Sequence, residues 1–439
     1  MERYNEYKDS GVQWLGEIPS HWETRPLKYS CSLKGRIGWN GLRSEEFQDT
    51  AFAYLVTGQD FIGSEIDWSK CYQISRERYD EDPFIQLNNG DMLITKDGTI
   101  GKVAKVTNLD KPACLNSGIF VIKQKGSFFN QGFLYWMLCS NVLKEFNVYT
   151  QTGATIAHLY QNVFENMPCL LPPISEQQAI ATYLDTVTSK IDEAIAQQQK
   201  MIDLLNERKQ IIINNAVTKG LNPDAQMKDS GVDWIGEIPE HWIITKLKHL
   251  VEITDGTHDT PRYVDPSSNT YPLVTSRCIV NGVIDLSLAN HITEQDYNYI
   301  ATRSYVRRND VIMPMIGTVG NPAIVDFEDS IAIKNVALFR TNGDINIAKF
   351  LKYLLNSTVV KEQFAMYNKG GVQNFVSQEI LKNLAIIVPD NITDIVGFLE
   401  REIAKIETPI IAHNQQISLL QERKQIIIND VVTGKVKVS

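Results

Sequence analysis

Two stretches of this chain, more than two hundred residues apart, are nearly identical. KDSGVQWLGEIPSHW begins at Lys8 and KDSGVDWIGEIPEHW begins at Lys228, and twelve of the fifteen positions match. A second pair, LLNERKQIIIN from Leu204 and LLQERKQIIIN from Leu419, differs at a single position. The copies are separated by 220 and 215 residues. The chain is therefore an internal duplication in which each repeat covers about half of the sequence. A duplicated scaffold favours a target that itself has two halves.

Each half consists of a short aromatic head, a large variable domain and a long helix. The predicted segments are an N-terminal head (1–22), a first variable domain (23–171), a central helix (172–221), a repeated head (222–242), a second variable domain (243–388) and a C-terminal helix (389–439). The heads combine Gly, Pro and Trp without a helical period, which is typical of packed turns. Burial of four tryptophans is expected to anchor them: Trp14, Trp22, Trp234 and Trp242.

The two variable domains share little sequence but keep the same register. Gly98-Thr-Ile-Gly101 matches Gly317-Thr-Val-Gly320, and Asn116 matches Asn335. Short β-rich runs broken by glycine surround these positions, and the segments around 130–147 and 346–367 have helical spacing of aromatics and leucines. We therefore predict two mixed α/β domains with one skeleton and different surfaces.

The long helices have the clearest sequence signal. Ser175 follows Pro172-Pro173 and is predicted to be an N-cap, and apolar residues then recur at alternating steps of four and three, the spacing of a coiled-coil seam. Pro409 predicts a kink or a break in the second helix. The second helix can bury its seam against the first only by running antiparallel to it, which places the C-terminus near the first domain. The predicted fold class is α+β, with two pseudo-symmetric mixed α/β domains joined by two long antiparallel coiled-coil helices.

Composition narrows the class of protein without revealing its target. The net charge is −9, but most of the excess acid lies in residues 172–242, and basic clusters such as Arg303/Arg307/Arg308 remain, so charge neither supports nor excludes DNA binding. No stretch approaches the roughly 18 apolar residues that span a bilayer, and the polar N-terminus lacks a secretory signal. The six cysteines form no CxxC pair. A cytoplasmic protein with reduced thiols and no membrane association is expected.

Catalytic signatures are nearly absent. Asp203, Glu207 and Lys209 loosely resemble a metal-nuclease set, but they lie on the predicted coiled-coil helix, where a solvated helix face is the better interpretation. Gly98 to Lys102 is too short for a phosphate loop and is predicted to be a β-turn. The histidines lack metal-ligand spacing, so no catalytic residue, metal site or cofactor is predicted for this chain.

Four loops at matching positions in the two domains have the residue types that bind nucleic acid. Arginine and lysine can pair with guanine edges, and asparagine and glutamine with adenine, whereas threonine and lysine can also hold phosphates. Each loop alone is more typical of an ordinary surface loop than of a DNA contact. Because four such loops lie at matching positions in two diverged copies, the two interpretations become equally good. The candidates are Arg36, Asn40, Arg43, Thr152, Thr155, His158, Thr257, His258, Arg262, Lys369 and Gln373.

The whole architecture resembles the specificity subunit of Type I restriction–modification systems. The resemblance covers essentially the full chain. It rests on the two GEIPxHW heads, the LPPISEQQAIATYLD sequence at 171–185, the twin ERKQIIIN helices, GRIGWNGL at 35–42 and DGTHDTP at 255–261. The second helix begins differently, with Val388-Pro-Asp-Asn-Ile-Thr in place of the PPISEQQ form, which leaves mirror packing at that helix start in question.

The resemblance implies a non-catalytic DNA-binding subunit whose two target-recognition domains each read one half of a bipartite, asymmetric site, with the coil setting the gap. Its implied partners are double-stranded DNA, two modification (methyltransferase) subunits that methylate adenine, and restriction/translocase subunits. S-adenosylmethionine, ATP and Mg are expected only in those partners, and the head tryptophans are candidates for docking them.

Three alternatives remain open at the level of sequence. One is the DNA-recognition subunit of a related methylation system that does not restrict. Another is a helical-arm scaffold with protein-binding modules and no role on DNA, which salt-sensitive binding to a duplex would discriminate. The third is an enzyme with an unrecognised site.

Overall fold

The computed structural model describes residues 2–36, 42–150, 158–317, 319–367 and 375–438, with Ser44 described by its backbone alone. These residues form two compact units. The first comprises Met1–Gln198 with Gln415–Ser439, and the second comprises Gln199–Asn414. Each unit contains a head, a variable domain and segments of both long helices.

The first unit contains thirteen described strands and parts of two long helices. Its strands are β1 (Tyr7–Asp9), β2 (Glu17–Pro19), β3 (Glu23–Pro26), β4 (Cys31–Gly35), β5 (Ala53–Val56), β6 (Phe61–Ile62), β7 (Glu65–Ile66), β8 (Tyr72–Ile74), β9 (Met92–Thr95), β10 (Val103–Lys105), β11 (Ala113–Leu115), β12 (Ile119–Gln124) and β13 (Pro168–Leu171). Its helices are α1 (Leu27–Ser30), α2 (Arg76–Asp80), α3 (Gln131–Cys139), α4 (Asn141–Thr150), α5 (Gln161–Phe164) and the start of α6 (Ile174–Thr218).

The second unit repeats this series of elements. Its strands are β14 (Met227–Asp229), β15 (Glu237–Pro239), β16 (Ile243–Lys246), β17 (Glu252–Asp255), β18 (Thr270–Val274), β19 (Ile279–Val280), β20 (Val283–Ile284), β21 (Asn290–Thr293), β22 (Val311–Pro314), β23 (Ala323–Ile324), β24 (Ala332–Ile333), β25 (Val336–Arg340) and β26 (Ala385–Val388). Its helices are α7 (Glu294–Ser304), α8 (Ile345–Leu355), α9 (Thr358–Tyr367), α10 (Gln378–Asn383) and the start of α11 (Ile392–Val432).

The two variable domains have the same sheet topology. In the first, a four-stranded antiparallel sheet has the order β10-β9-β12-β4, and a three-stranded sheet has the order β11-β5-β8. In the second, the corresponding orders are β23-β22-β25-β17 and β24-β18-β21. Each three-stranded sheet contains one parallel pair, β5 with β11 and β18 with β24. The predicted pair of mixed α/β domains with a common skeleton is therefore confirmed.

The central strands β9 and β22 are covered on both faces. All four residues of β9 are buried, and so are all four of β22. A strand covered on both sides reads as a continuous apolar run rather than an alternating one, which explains the sequences MLIT and VIMP. In the first domain, residues of α3 such as Phe133 and Met137 belong to the same core as Ile94 and Ile122 of the sheet.

The long helices run antiparallel within each unit. In the first unit, Leu184 near the start of α6 shares a core with Val431 near the end of α11, and further along α6 Asp192 pairs with Lys424 at 2.7 Å. In the second unit, Lys209 pairs with Glu407 at 2.7 Å. The prediction of antiparallel helices is confirmed.

The ends and the interior of the helices differ in detail from the sequence prediction. Helix α6 begins at Ile174, one residue before the predicted cap Ser175, because the Pro173 carbonyl accepts the N–H groups of both Glu176 and Gln177 at 2.9 Å. Helix α11 continues through Pro409, which excludes the break and leaves the kink as the remaining part of that prediction. Among the described residues, the long helices included, no helix combines the length and the apolarity needed to cross a membrane.

The chain termini meet at the first head. The heads are equivalent hairpins, with Lys8 opposite Ile18 and Lys228 opposite Ile238. The backbone N–H of Lys437 donates to the carbonyl of Glu2 at 2.8 Å. The C-terminus therefore lies against the first unit's head, as the connectivity argument predicts.

Candidate nucleic-acid interface

Three loops of the second variable domain are joined by a chain of backbone hydrogen bonds. The Asn335 N–H donates to the Thr257 carbonyl at 3.1 Å, and the Met315 N–H donates to the Asn335 carbonyl at 3.3 Å. The Val376 N–H then donates to the Met315 carbonyl at 2.9 Å. The loop after β17, the turn after β22 and the segment before α10 consequently lie side by side at one edge of the domain.

Gly256 fixes the first of these loops against the sheet. A Cβ at this position would lie 2.2 Å from the Ile333 carbonyl oxygen, so another residue cannot fit without moving the backbone. The Gly256 N–H donates to the Val336 carbonyl, and the Thr257 N–H donates to the Ile333 carbonyl, both at 3.0 Å. The loop that starts here is therefore held at its base, and it carries the predicted contacts Thr257, His258 and Arg262.

A buried carboxylate organises the exposed side chains of this loop. The side chain of Asp255 is 7% exposed and accepts a hydrogen bond from the guanidinium of Arg303 on α7. His258 lies between Asp255 and Asn335, with its Nε2 3.0 Å from Asp255 Oδ2 and its Nδ1 2.9 Å from Asn335 Oδ1. The side chains of His258 and Arg303 are 52% and 58% exposed. Sequence reasoning gave no role to Arg303, and its only signal was membership of a local basic cluster.

Two of the remaining predicted contacts in the second domain, Thr257 and Arg262, lie within the described residues. Thr257 is half-buried and Arg262 is exposed. Lys334 is bonded through its Nζ to the hydroxyl of Thr260, across the base of the loop. Lys369 and Gln373 lie outside the described residues.

The first domain brings equivalent segments together. The Lys96 N–H donates to the Gly118 carbonyl at 2.9 Å, and the Leu159 N–H donates to the Lys96 carbonyl at 3.0 Å. His158 contacts the Asp97 carboxylate through Nδ1, and its ring lies 4.5 Å from that of Tyr160. His158 is thus next to the turn that begins at Gly98, whereas Thr152 and Thr155 lie outside the described residues.

Arg36, predicted as a DNA contact, is instead buried. Its side chain is in the core at 2% exposure, where Nε donates to the Leu115 carbonyl at 2.9 Å and Nη2 lies 3.3 Å from Cys114 Sγ. Burial raises the pKa of the Cys114 thiol to about 11, so a neutral thiol sits beside the guanidinium at neutral pH. The structure therefore offers no Arg36 surface to a duplex, because the residue directly follows β4 and packs beside the end of β11.

Of the other two predicted contacts near Arg36, the structure describes Arg43 alone. Arg43 is exposed, and its backbone N–H donates to the Glu46 carboxylate at 2.7 Å. Asn40 lies outside the described residues.

The head tryptophans divide into two classes. Trp22 and Trp242 are buried, at 0% and 4% exposure, and Gly434 and Gly220 approach their rings at the ends of the long helices. Trp14 is half-buried, with its ring 6.4 Å from that of Phe146, and Trp234 is 36% exposed. The expected anchoring by burial therefore holds for one tryptophan of each head, and the other keeps accessible surface.

Within the described part of the chain, no three His, Cys, Asp or Glu side chains are placed to hold a metal ion. The candidate interface consists of loop backbones, amides, hydroxyls and cations. Such groups are suited to binding phosphates and base edges.

Comparison with known proteins gives matches along most of the chain. The sequence model of the family described as "Type I restriction modification DNA specificity domain" matches residues 42–202 and 239–425, once in each half. The Type I restriction enzyme MjaVIII specificity subunit of Methanocaldococcus jannaschii is 28% identical, over 100% of this chain and 98% of that protein. The EcoBI specificity subunit of Escherichia coli is 26% identical, over 64% of this chain and 60% of that protein.

A solved structure of similar fold covers nearly the whole chain. It is described as the structural basis of complex assembly and conformational transition of the type I R-M system. The match has a TM-score of 0.65 at 16% identity and covers 95% of this chain and 99% of the other. At this identity the match shows the fold alone.

Proposed function

This chain belongs to the Type I restriction modification DNA specificity family, and we propose that it reads a bipartite, asymmetric DNA site, one half with each variable domain. The observation that carries the proposal is the duplication. The family match occurs separately in each half, and each half contains the same two sheets in the same strand order. Because the two domains share a frame but differ in their loops, each presents different groups to DNA, and the two half-sequences differ.

The loop edge of each domain supports this role. In the second domain a glycine-based loop is fixed to the sheet and presents Thr257, His258 and Arg262. In the first domain the corresponding edge presents His158 beside the turn at Gly98. Fixed loops that present exposed hydrogen-bonding side chains lose little conformational entropy on binding. Asn40, Thr152, Thr155, Lys369 and Gln373 remain proposed contacts on sequence grounds.

The chain acts as the recognition subunit of a larger complex in the cytoplasm. It directs two modification (methyltransferase) subunits and the restriction/translocase subunits to the site, and S-adenosylmethionine, ATP and Mg are bound by those partners. The two heads support the number of modification subunits, since the hairpins have the same register and provide two equivalent docking surfaces. The accessible surfaces of Trp14 and Trp234 are the proposed contacts, with Trp22 and Trp242 supporting them from the core.

The direct test is to express the chain with its modification subunits and map the methylated adenines in the host DNA. We expect one sequence with two short read segments separated by a gap of unread bases, and no methylation by the modification subunits alone. The purified complex should also lose affinity for a duplex as salt rises, in proportion to the phosphates it contacts. A contiguous site, or methylation that does not depend on this chain, would rule out the proposal.

A further inference from the structure

Asp255 holds two side chains that come from different elements. It is the last residue of β17 and its carboxylate is buried. Arg303, near the C-terminal end of α7, donates to Oδ1 through Nη2, and His258 of the following loop contacts Oδ2. One carboxylate therefore fixes the position of a guanidinium and an imidazole at the loop edge of the second domain.

The guanidinium keeps accessible surface in this pairing. The Arg303 side chain is 58% exposed although its partner carboxylate is 7% exposed. An arginine has five N–H donors in a rigid planar fork, so one bond to a buried acceptor restricts the position of the guanidinium and leaves donors for a ligand. His258 is bonded in turn to Asn335, whose backbone belongs to the hydrogen-bond chain that joins the three loops.

We infer that Arg303 reads a guanine in the half-site of the second variable domain and that Asp255 is its positioning residue. The inference rests on the proposed function and names one base contact within it. Bidentate pairing of an arginine with guanine O6 and N7 is favoured by a guanidinium that is already held near the bases, and the buried carboxylate holds Arg303 at Nη2. A phosphate contact would gain less from this arrangement, because the carboxylate offsets the attraction of the cation for a phosphate.

The test uses the complex with modification subunits and duplexes that carry each single base-pair replacement of the mapped site. Arg303→Ala should weaken binding to the native site by about 5- to 150-fold, the worth of one bidentate pair, and should abolish discrimination at one G·C pair of the second half-site. Arg303→Lys keeps the charge but not the fork, and should behave like the alanine variant at that pair. Asp255→Asn should reduce discrimination at the same pair without changing the slope of affinity against salt.

Arg308→Ala is the matched control. Arg308 is also an exposed arginine paired with a carboxylate, 3.0 Å from Glu328. It precedes the start of β22, whereas the turn that belongs to the candidate interface follows the end of that strand. Arg308 and the interface turn therefore lie at opposite ends of β22. This variant should bind every duplex as the native chain does. The unfolding temperature of each complex, measured in parallel, should fall for Arg303→Ala, which leaves Oδ1 of the buried Asp255 carboxylate without this donor. Binding is therefore compared at a temperature where every complex is folded.

Three outcomes would overturn the inference. One is native discrimination at every base pair by Arg303→Ala. Another is a uniform loss of affinity that Arg303→Lys restores, which identifies a phosphate contact. The third is a loss of discrimination in the half read by residues 23–171. Each of these outcomes leaves intact the proposal that the two domains read separate half-sites. That proposal fails if the native complex shows no half-site for residues 243–388.

Discussion

Lys424 and Asp192 join the two long helices within the first unit, with the lysine Nζ 2.7 Å from each oxygen of the carboxylate. The second unit has the equivalent pair, Lys209 with Glu407 at 2.7 Å. Lys209 lies in the first copy of the repeated ERKQ sequence, and Lys424 lies in the second. In each unit, the glutamine next to this lysine in sequence donates to a carbonyl of the variable domain: Gln425 to Cys139 and Gln210 to Asn356. The repeated Lys-Gln dipeptide thus ties the helix pair together and ties it to the domain.

Removing either ion pair should have a small and similar effect. Both pairs are solvent-accessible, and exposed pairs contribute about 1 kcal/mol or less. We expect Lys424→Ala and Lys209→Ala each to lower the free energy of unfolding by no more than this amount. In double-mutant cycles, Lys424→Ala should show coupling with Asp192→Ala, and Lys209→Ala with Glu407→Ala. Denaturant unfolding at low and high salt measures both cycles. Coupling that is absent at low salt would show that these contacts do not stabilise the helix pair.

Gly256→Ala should disturb the second domain's loop selectively. The added methyl would meet the Ile333 carbonyl at 2.2 Å, and forced overpacking costs about 1–3 kcal/mol. We expect reduced stability and weaker reading of one half-site. Gly118→Ala is the control, because its Cβ has no neighbour closer than 3.9 Å and its backbone φ is not positive. The two variants are compared by their binding to duplexes with replaced base pairs in each half-site. An equal effect of the two substitutions would contradict the packing argument.

Gly397→Ala should stabilise the protein. Gly397 lies inside α11, and its added Cβ would meet only the Arg401 guanidinium, at 3.6 Å. Alanine in a helix interior is favoured over glycine by about 0.5–1 kcal/mol. Gly132→Ala in α3 is the opposing control, since its Cβ would lie 2.8 Å from that of Ala181. Thermal unfolding should move upward for the first and downward for the second, and a shift of the same sign in both would refute the prediction.

Asp310→Asn should change how stability depends on pH. Burial raises the pKa of the Asp310 carboxyl, and hydrogen bonds from the N–H groups of Arg307 and Thr341 limit the rise. The folded chain therefore retains this proton to a higher pH than the unfolded chain, so the carboxyl's contribution to stability falls as pH rises from the unfolded pKa through the folded one. The asparagine variant lacks this titration. The free energy of unfolding of the variant, relative to that of the native chain, should therefore rise with pH between the unfolded and the folded pKa of Asp310. Urea unfolding at several pH values measures this difference, and a fall with pH would contradict the raised pKa.

The duplicated frame could be predicted from sequence because its signals are local. The copies of the head and the helix are contiguous strings, and the four-three spacing that predicts α6 and α11 requires no knowledge of distant contacts. Antiparallel pairing then follows from connectivity. Two details differ from the prediction: α6 starts at Ile174, and α11 continues through Pro409. Both depend on which backbone groups find hydrogen-bond partners in the folded chain.

The interface was less predictable because its members meet only in the folded domain. Arg36 has the chemistry of a DNA contact, but its guanidinium bonds to the Leu115 carbonyl, from a strand far along the chain. Arg303 lies in a helix whose sequence gives no motif, and its role follows from the carboxylate of Asp255. Residue type and local pattern indicated which loops carry suitable groups, whereas strand pairing decides which side chains reach the surface.

The most direct test of the account is replacement of residues 243–388 by the second variable domain of a relative with a different mapped site. The hybrid is expressed with the modification subunits, and its methylated adenines are mapped beside those of the native chain. We predict that the half-sequence read by residues 23–171 is retained and that the other half becomes that of the donor. A hybrid that folds and methylates but keeps both native half-sequences, or changes both, would contradict the claim that each domain reads one half.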